Sequence, residues 1–274
     1  MAEVALTSEA LLADVKSAQT ALGKAHFWWL GQHSFIVKIA GKVIYIDPFF
    51  KVSDRRQTPS LLSDQEGKLA DIVLISHGHS DHLCPVAVKA LVEGSPSAQF
   101  VAPKTEQKQM NDAGCIGDRL KLVSAEDIFE HDGIKVTCLK SKHEFFDEDP
   151  ILGFPFLGFV IEADGLTFYH AGDTIPYEGL MTRLQKWPHI DIVFLPINGR
   201  DAVKFKRGLI GNCTFQEAAE IAGDLKVGLA VPTHYDMFIG NQEDPQKFVD
   251  FLNVKYPGVA SWVGKAGERV EIGR

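Results

Sequence analysis

The chain has 274 residues, 45% of them hydrophobic and 23% charged, enough apolar material for a packed core and too much for extended disorder. Its formal net charge of −8 argues against an extended nucleic-acid-binding face, which must replace counterions with lysine and arginine. The longest apolar run, from Ile151 to Ile161, is interrupted by Pro155 and is too short for a bilayer, so no membrane partner is expected.

In chain order, Leu11, Leu12, Val15, Ala18 and Leu22 share one helical face between Ser8 and Leu22, with Gly23 as the C-cap. This predicts an amphipathic N-terminal helix (within residues 1–23) packed on a single domain of residues 1–274. Phe35–Ile39 and Val43–Ile46 flank Ala40-Gly41-Lys42 and read as a hairpin. Lys51 to Lys68 reads as a long polar loop near a site. Asp71 to Ser76 reads as a buried strand running into His77, followed by a helix from Pro85 to Val92 with proline in its first turn. Further strands are expected at Phe100–Ala102, Ile134–Leu139, Phe159–Ala163, Leu166–His170, Ile192–Leu195 and Val227–Val231. Helices are expected at Lys104–Ala113, Gly179–Gln185, Thr214–Ala222 and Pro245–Leu252, and Thr214 and Glu217 fit a capping box.

A faint repeat joins the two halves. Gly41 to Asp47 resembles Gly165 to Ala171, and Asp71 to Ile75 resembles Asp191 to Leu195. Hairpin, loop and buried strand follow in the same order each time. This predicts an α/β architecture of two similar halves whose sheets pack face to face, with helices outside.

The chemistry concentrates after the first buried strand. Ser76-His77-Gly78-His79-Ser80-Asp81-His82 places three of the ten histidines and a carboxylate within six residues. Imidazole and carboxylate are the ligands of borderline divalent metals. A turn there lets His77 and His79 face one ion and Asp81 and His82 a second. More ligands are needed, and three places supply them after strands: His143, Asp173 in His170-Ala171-Gly172-Asp173, and His234 in Pro232-Thr233-His234. Alone, each is more often a structural or exposed histidine or a turn aspartate; their order after the histidine-rich loop is what points to metal. If these strands belong to the central sheets, their ends meet at one edge, where α/β proteins tend to build sites.

The order HxHxDH, single His, Gly-Asp and final His resembles the metallo-β-lactamase superfamily, from about Leu30 to Asp236. The resemblance implies a four-layer αββα sandwich of two mixed sheets. It also implies two divalent ions per chain, zinc or manganese first among the candidates. By position, His77, His79 and His143 would hold one ion, Asp81, His82 and His234 the other, and Asp173 would bridge them. Trp29-Leu30-Gly31, His170 to Thr174, Asn198-Gly199-Arg200 and Pro232 to Met237 look most like the L-ascorbate-6-phosphate lactonase branch. That branch implies a lactonase-like hydrolase, an acidic sugar lactone as substrate and a homo-oligomer.

The expected reaction is attack of a metal-bridging hydroxide on a small lactone, ester or amide, with Asp81 also serving as the catalytic proton carrier. Phosphodiester or RNA processing, isothiocyanate-type hydrolysis and a non-catalytic metal-stabilised scaffold stay open as alternatives. Asp47 is read either as the partner of a ligand imidazole or as a turn residue, and His170 as either touching or facing away from the site. Arg200, Lys204, Lys206 and Arg207 are either an anion pocket or a solvated loop; Arg200, Asn212 and Asp236 are the candidate substrate contacts. Phe145, Phe146, Phe154, Phe156 and Phe159 are either core or an apolar wall of the pocket. The four scattered cysteines, without a CxxC pair, and the absence of a signal-peptide pattern predict reduced thiols in a cytoplasmic protein.

Overall fold

The computed structural model describes residues 7–63 and 69–273, so residues 64–68 of the expected polar loop lie outside the described residues. Two tight hairpins set the frame. β2 (Phe35–Ile39) and β3 (Lys42–Ile46) join through Ala40 and Gly41 at φ 51° and 74°; β9 (Leu157–Ala163) and β10 (Leu166–His170) join through Asp164 and Gly165 at φ 47° and 79°. Two-residue turns with positive φ at both positions match the twist of the strands they connect.

The second strand of each hairpin then pairs in parallel with a buried strand, β3 with β4 (Ile72–Leu74) and β10 with β11 (Ile192–Pro196). Each crossing is fixed by an aspartate. Asp71 accepts from the Val43 amide at 2.8 Å, and Asp191 from the Thr167 amide at 2.8 Å. The faint repeat of the sequence is therefore a repeat of geometry.

One sheet runs β14 (Arg269–Gly273), β1 (Lys24–Trp29), β2, β3, β4, β5 (Gln99–Pro103), β6 (Leu120–Val123). The other runs β13 (Ala260–Ser261), β12 (Leu229–Thr233), β11, β10, β9, β8 (Ile134–Lys140), β7 (Ile128–His131). Both are mixed. Alternation sorts the side chains of β2: Phe35, Val37 and Ile39 enter the core between the sheets, and Ile36 enters a second core beneath helices. Phe35 meets Phe194 of β11 at 4.1 Å between ring centroids, which records the face-to-face packing.

The helices α1 (Ser8–Ser17), α2 (Pro85–Gly94) and α3 (Gln107–Asp112) cover the first sheet through Leu11, Val15, Val88, Leu91 and Met110. α4 (Leu180–Leu184), α6 (Phe215–Leu225) and α7 (Pro245–Lys255) flank the second, and a short α5 (Ala202–Lys206) precedes α6. The expected two mixed sheets with helices outside are what the chain forms.

Several boundaries differ. The first helix stops at Ser17 rather than running to Leu22. Ala18 turns extended, Lys38 takes the carbonyls of Val15 and Lys16, and Leu22 is 83% exposed. The helix expected from Lys104 opens as a 3₁₀ turn before α3. The buried strand expected over Asp71–Ser76 is regular over Ile72–Leu74, with the Asp71 and Ile75 amides extending its bonding to Val43 and Val101. The strands β6, β7, β13 and β14 and helix α5 had no counterpart in the sequence reading. All four cysteines are buried and free. Among the described residues, no helix is long and apolar enough to cross a membrane.

Candidate metal centre

β4 delivers the histidine-rich loop to the edge where the two sheets meet. The loop closes on itself through the His82 and Leu83 amides, both donating to the His79 carbonyl, and α2 follows at once. Gly78 leaves room at its bend for the Glu106 carboxylate, which a methyl there would approach to 2.3 Å unless that side chain moved. The second sheet supplies His143 after β8, Asp173 after β10 and His234 after β12. Gly172, at φ 59°, lets the chain before Asp173 pass the Leu157 carbonyl, which a methyl would approach to 2.2 Å.

The donors form two groups. His77, His79, His143 and Asp173 make one, Asp81, His82 and His234 the other, with donor atoms in each within 4.8 Å of one another. His77 Nε2 stands 3.1 Å from His79 Nδ1. Asp173 lies between the groups: its Oδ1 is 3.3 Å from His82 Nε2, and its Oδ2 is 3.6 Å from His143 Nε2 and 3.2 Å from His234 Nε2. His82 Nε2 and Asp173 Oδ1 are buried without a hydrogen-bond partner. Buried polar atoms are rarely left so, and a borderline divalent ion satisfies both. The donor set fits a metal.

The electrostatics couple the donors to one another. Burial opposes charge on His82 and His234, but Asp173 and Asp81 overcome it and hold their protons above the ordinary imidazole range. Burial likewise opposes charge on Asp173, yet His234 and His82 hold it well below the usual carboxylate range. Burial pushes His143 down to about 4 and His77 well below its usual value, so both offer neutral nitrogens.

Supporting groups orient the donors. Asp47, at φ 45°, takes the Nδ1 proton of His82 at 2.7 Å and accepts from the Ser76 amide at 2.7 Å. Both readings of Asp47, imidazole partner and turn residue, hold together. His170 does not join the donors; its Nε2 donates to the His33 carbonyl at 3.0 Å, and its ring lies against the His33 ring at 3.9 Å, tilted by 36°. Phe156 packs on His77, His79 and His143 at 5.1–5.7 Å without lining the cavity over them, whereas Phe159 is core and Phe145 is 66% exposed.

Gln32 is the residue that sequence reasoning missed. Its Nε2 donates to Asp81 at 2.8 Å and lies 3.0 and 3.2 Å from the two ring nitrogens of His234. The signal was present in Gln32-His33-Ser34, a polar triplet between two apolar strands.

A cavity of about 760 Å³ opens over His79, Asp81, His143, Asp173 and His234. Arg200, Asn212 and Asp236, the expected substrate contacts, do not line it. Arg200 is held by Glu217 through two bonds of 2.6 Å. Asn212 is buried against Asn198, and Asp236 accepts from the Gln32 amide at 3.0 Å, fixing the Gly31-Gln32 turn.

Known proteins share this plan. Residues 42–235 match the beta-lactamase superfamily domain. A UPF0173 metal-dependent hydrolase of Geobacillus sp. is 30% identical, over 88% of this chain and 97% of its own. Igni18, a metallo hydrolase of Ignicoccus hospitalis, superposes with a TM-score of 0.68 at 20% identity, over 90% of this chain and 98% of its own. An isothiocyanate hydrolase from Delia radicum gut bacteria gives 0.69 at 17% identity, over 91% and 100%. The chain belongs to the beta-lactamase superfamily and, within it, to the UPF0173 family of metal-dependent hydrolases.

Proposed function

We propose that the chain is a dinuclear hydrolase of small lactones, esters or amides. His77, His79 and His143 would hold one divalent ion and Asp81, His82 and His234 the second, with Asp173, which lies between the two groups, available to both. Zinc and manganese are the first candidates for such ligands. Bound ions of this kind supply Lewis acidity toward a carbonyl oxygen and bring water toward ionisation at neutral pH.

The chain's own residues do the rest. Asp81 lines the cavity, and although burial opposes its charge, His82, His234 and the Gln32 amide keep it a carboxylate. It is therefore placed to accept a proton from attacking water and deliver it to the leaving group. Gln32 holds Asp81 in orientation, Asp47 holds His82, and Phe156 packs against the rings of His77, His79 and His143. The resemblance to the ascorbate-phosphate lactonase branch favours an acidic lactone, with a sugar-derived one first on the panel.

The observation that carries this reading is the convergence of seven donors from both sheets on two adjacent points, leaving His82 Nε2 and Asp173 Oδ1 buried and unpartnered. The test measures metal content per chain, then turnover of lactones, esters, amides, phosphodiesters and isothiocyanates. It compares loaded protein, chelated protein and Asp81→Ala. Two ions per chain and hydrolysis of a carbonyl class, lost in both controls, are expected. One ion per chain would end the dinuclear reading, and turnover of phosphodiesters alone would end the carbonyl one.

A further inference from the structure

The cavity above the donors has walls that the hydrolysis reading leaves unassigned. Three cations line them from two separate places: Lys51 and Arg55 from the segment after β3, and Arg207 from the end of α5. All three are exposed, and among the described residues none forms an ion pair or a side-chain hydrogen bond. Asp54 shares the same wall, and Asp201, the cap of α5, feels the charge of Arg207.

Neighbouring cations are committed elsewhere. The Arg56 guanidinium is spent on the carbonyls of Phe49, Lys51, Thr58 and Pro59. Arg200 is spent on Glu217, and Lys204 on the Asn198 carbonyl. In a chain of net charge −8, three uncommitted cations face one cavity, set on its walls beside Asp54 while Asp81 and Asp173 lie with the candidate metal donors. Phe49, Leu209, Ile210, Phe238 and Ile239 give the same cavity an apolar portion, with Ser53, Ser80 and Asn241 as its uncharged polar lining.

We propose that this cavity selects an organic acid: a carboxylate or phosphate held by Lys51, Arg55 and Arg207, carried on an apolar segment that lies against the phenylalanine and aliphatic wall. Arginine suits the anion because its planar fork meets two oxygens at once. The inference rests on the hydrolase reading for the reacting bond and narrows its substrate to acids with an apolar segment.

The test is calorimetric titration with hexyl phosphate, glucose 6-phosphate and hexan-1-ol. It is run on the metal-loaded protein, on the chelated protein and on Arg55→Ala/Arg207→Ala. Loss of two charge-assisted contacts should weaken hexyl phosphate at least about tenfold, with hexan-1-ol unable to tell the variant from the parent. The difference should persist after chelation, which separates the cations from direct binding of phosphate to metal. Hexyl phosphate should also bind several-fold tighter than glucose 6-phosphate. No binding to the parent, equal affinities of parent and variant, or a difference that disappears on chelation overturns the proposal; equal affinity for the two phosphates overturns its apolar half. Unchanged melting of the variant checks its fold. Failure of the hydrolase reading would appear as absent turnover or metal and would leave these affinity differences in place.

Discussion

Asp47 joins the backbone to the metal donors, taking the Ser76 amide on one oxygen and the His82 ring on the other. Asp47→Ala leaves the buried Ser76 amide unpaired, which costs about 1–3 kcal/mol of stability. It also frees the His82 ring, so metal affinity should fall about 10–100-fold. Melting curves and competition with a chromogenic chelator read the two effects separately, and wild-type metal affinity in the variant would refute the orienting role. Protons add a second expectation. His82 and His234 have raised pKa values without metal, whereas metal binding needs neutral imidazoles. Metal uptake should therefore release protons, and affinity should rise with pH by about tenfold per unit for each proton released, until pH passes the raised values. His143, held at about 4, is already neutral there and adds nothing to this slope. Calorimetry in buffers of different ionisation enthalpy counts the protons; a count of zero would contradict the reading. The His77–His82 donors were legible because they are sequence neighbours. Gln32 was not, since it acts on Asp81 and His234 across 49 and 202 positions.

At the level of elements, the hairpins and buried strands were readable because their alternation and turn residues are local. The edge strands were not: β14 alternates charged and apolar residues from Arg269 to Ile272, but over only five residues, too short a run to stand out. Helix α5 was missed for a related reason, and its turn separates the basic stretch that was read as either an anion pocket or a solvated loop. Asp201 caps it, and the flanking Arg200, Lys204 and Arg207 point in different directions, to Glu217, to a carbonyl and to the cavity. The link from β10 to Asp173 gives a sharper test. Gly172→Ala must both hold φ near 59° and displace the Leu157 carbonyl, so a loss of roughly 2–4 kcal/mol is expected, together with loss of metal. Gly41→Ala has a similar φ, 74°, but open space around it, so it should cost only about 1–2 kcal/mol and leave metal content unchanged. Urea unfolding compares the two, and equal costs would mean that the close approach does not matter.

At the scale of the molecule, the donors join the two sheets. His77, His79, Asp81 and His82 follow β4 of one sheet, and His143, Asp173 and His234 follow β8, β10 and β12 of the other. Backbone bonds already tie this edge, from the Leu157 amide to the Ser76 carbonyl at 3.0 Å and from the His234 amide to the Gln32 carbonyl at 2.9 Å. Ions that bind only the folded chain stabilise it by mass action, about 2.7 kcal/mol at a hundredfold excess over Kd. For a domain of this size that corresponds to roughly 5–10 °C in Tm. Chelation should therefore lower Tm by that amount, and readdition of the ion should restore it. Because the donors belong to both sheets, amide exchange in the chelated protein should rise in the His77–His82 loop and in the segments around His143, Asp173 and His234 together. Faster exchange confined to the His77–His82 loop, with Tm unchanged, would mean that the ions sit on one sheet and do not join the two halves.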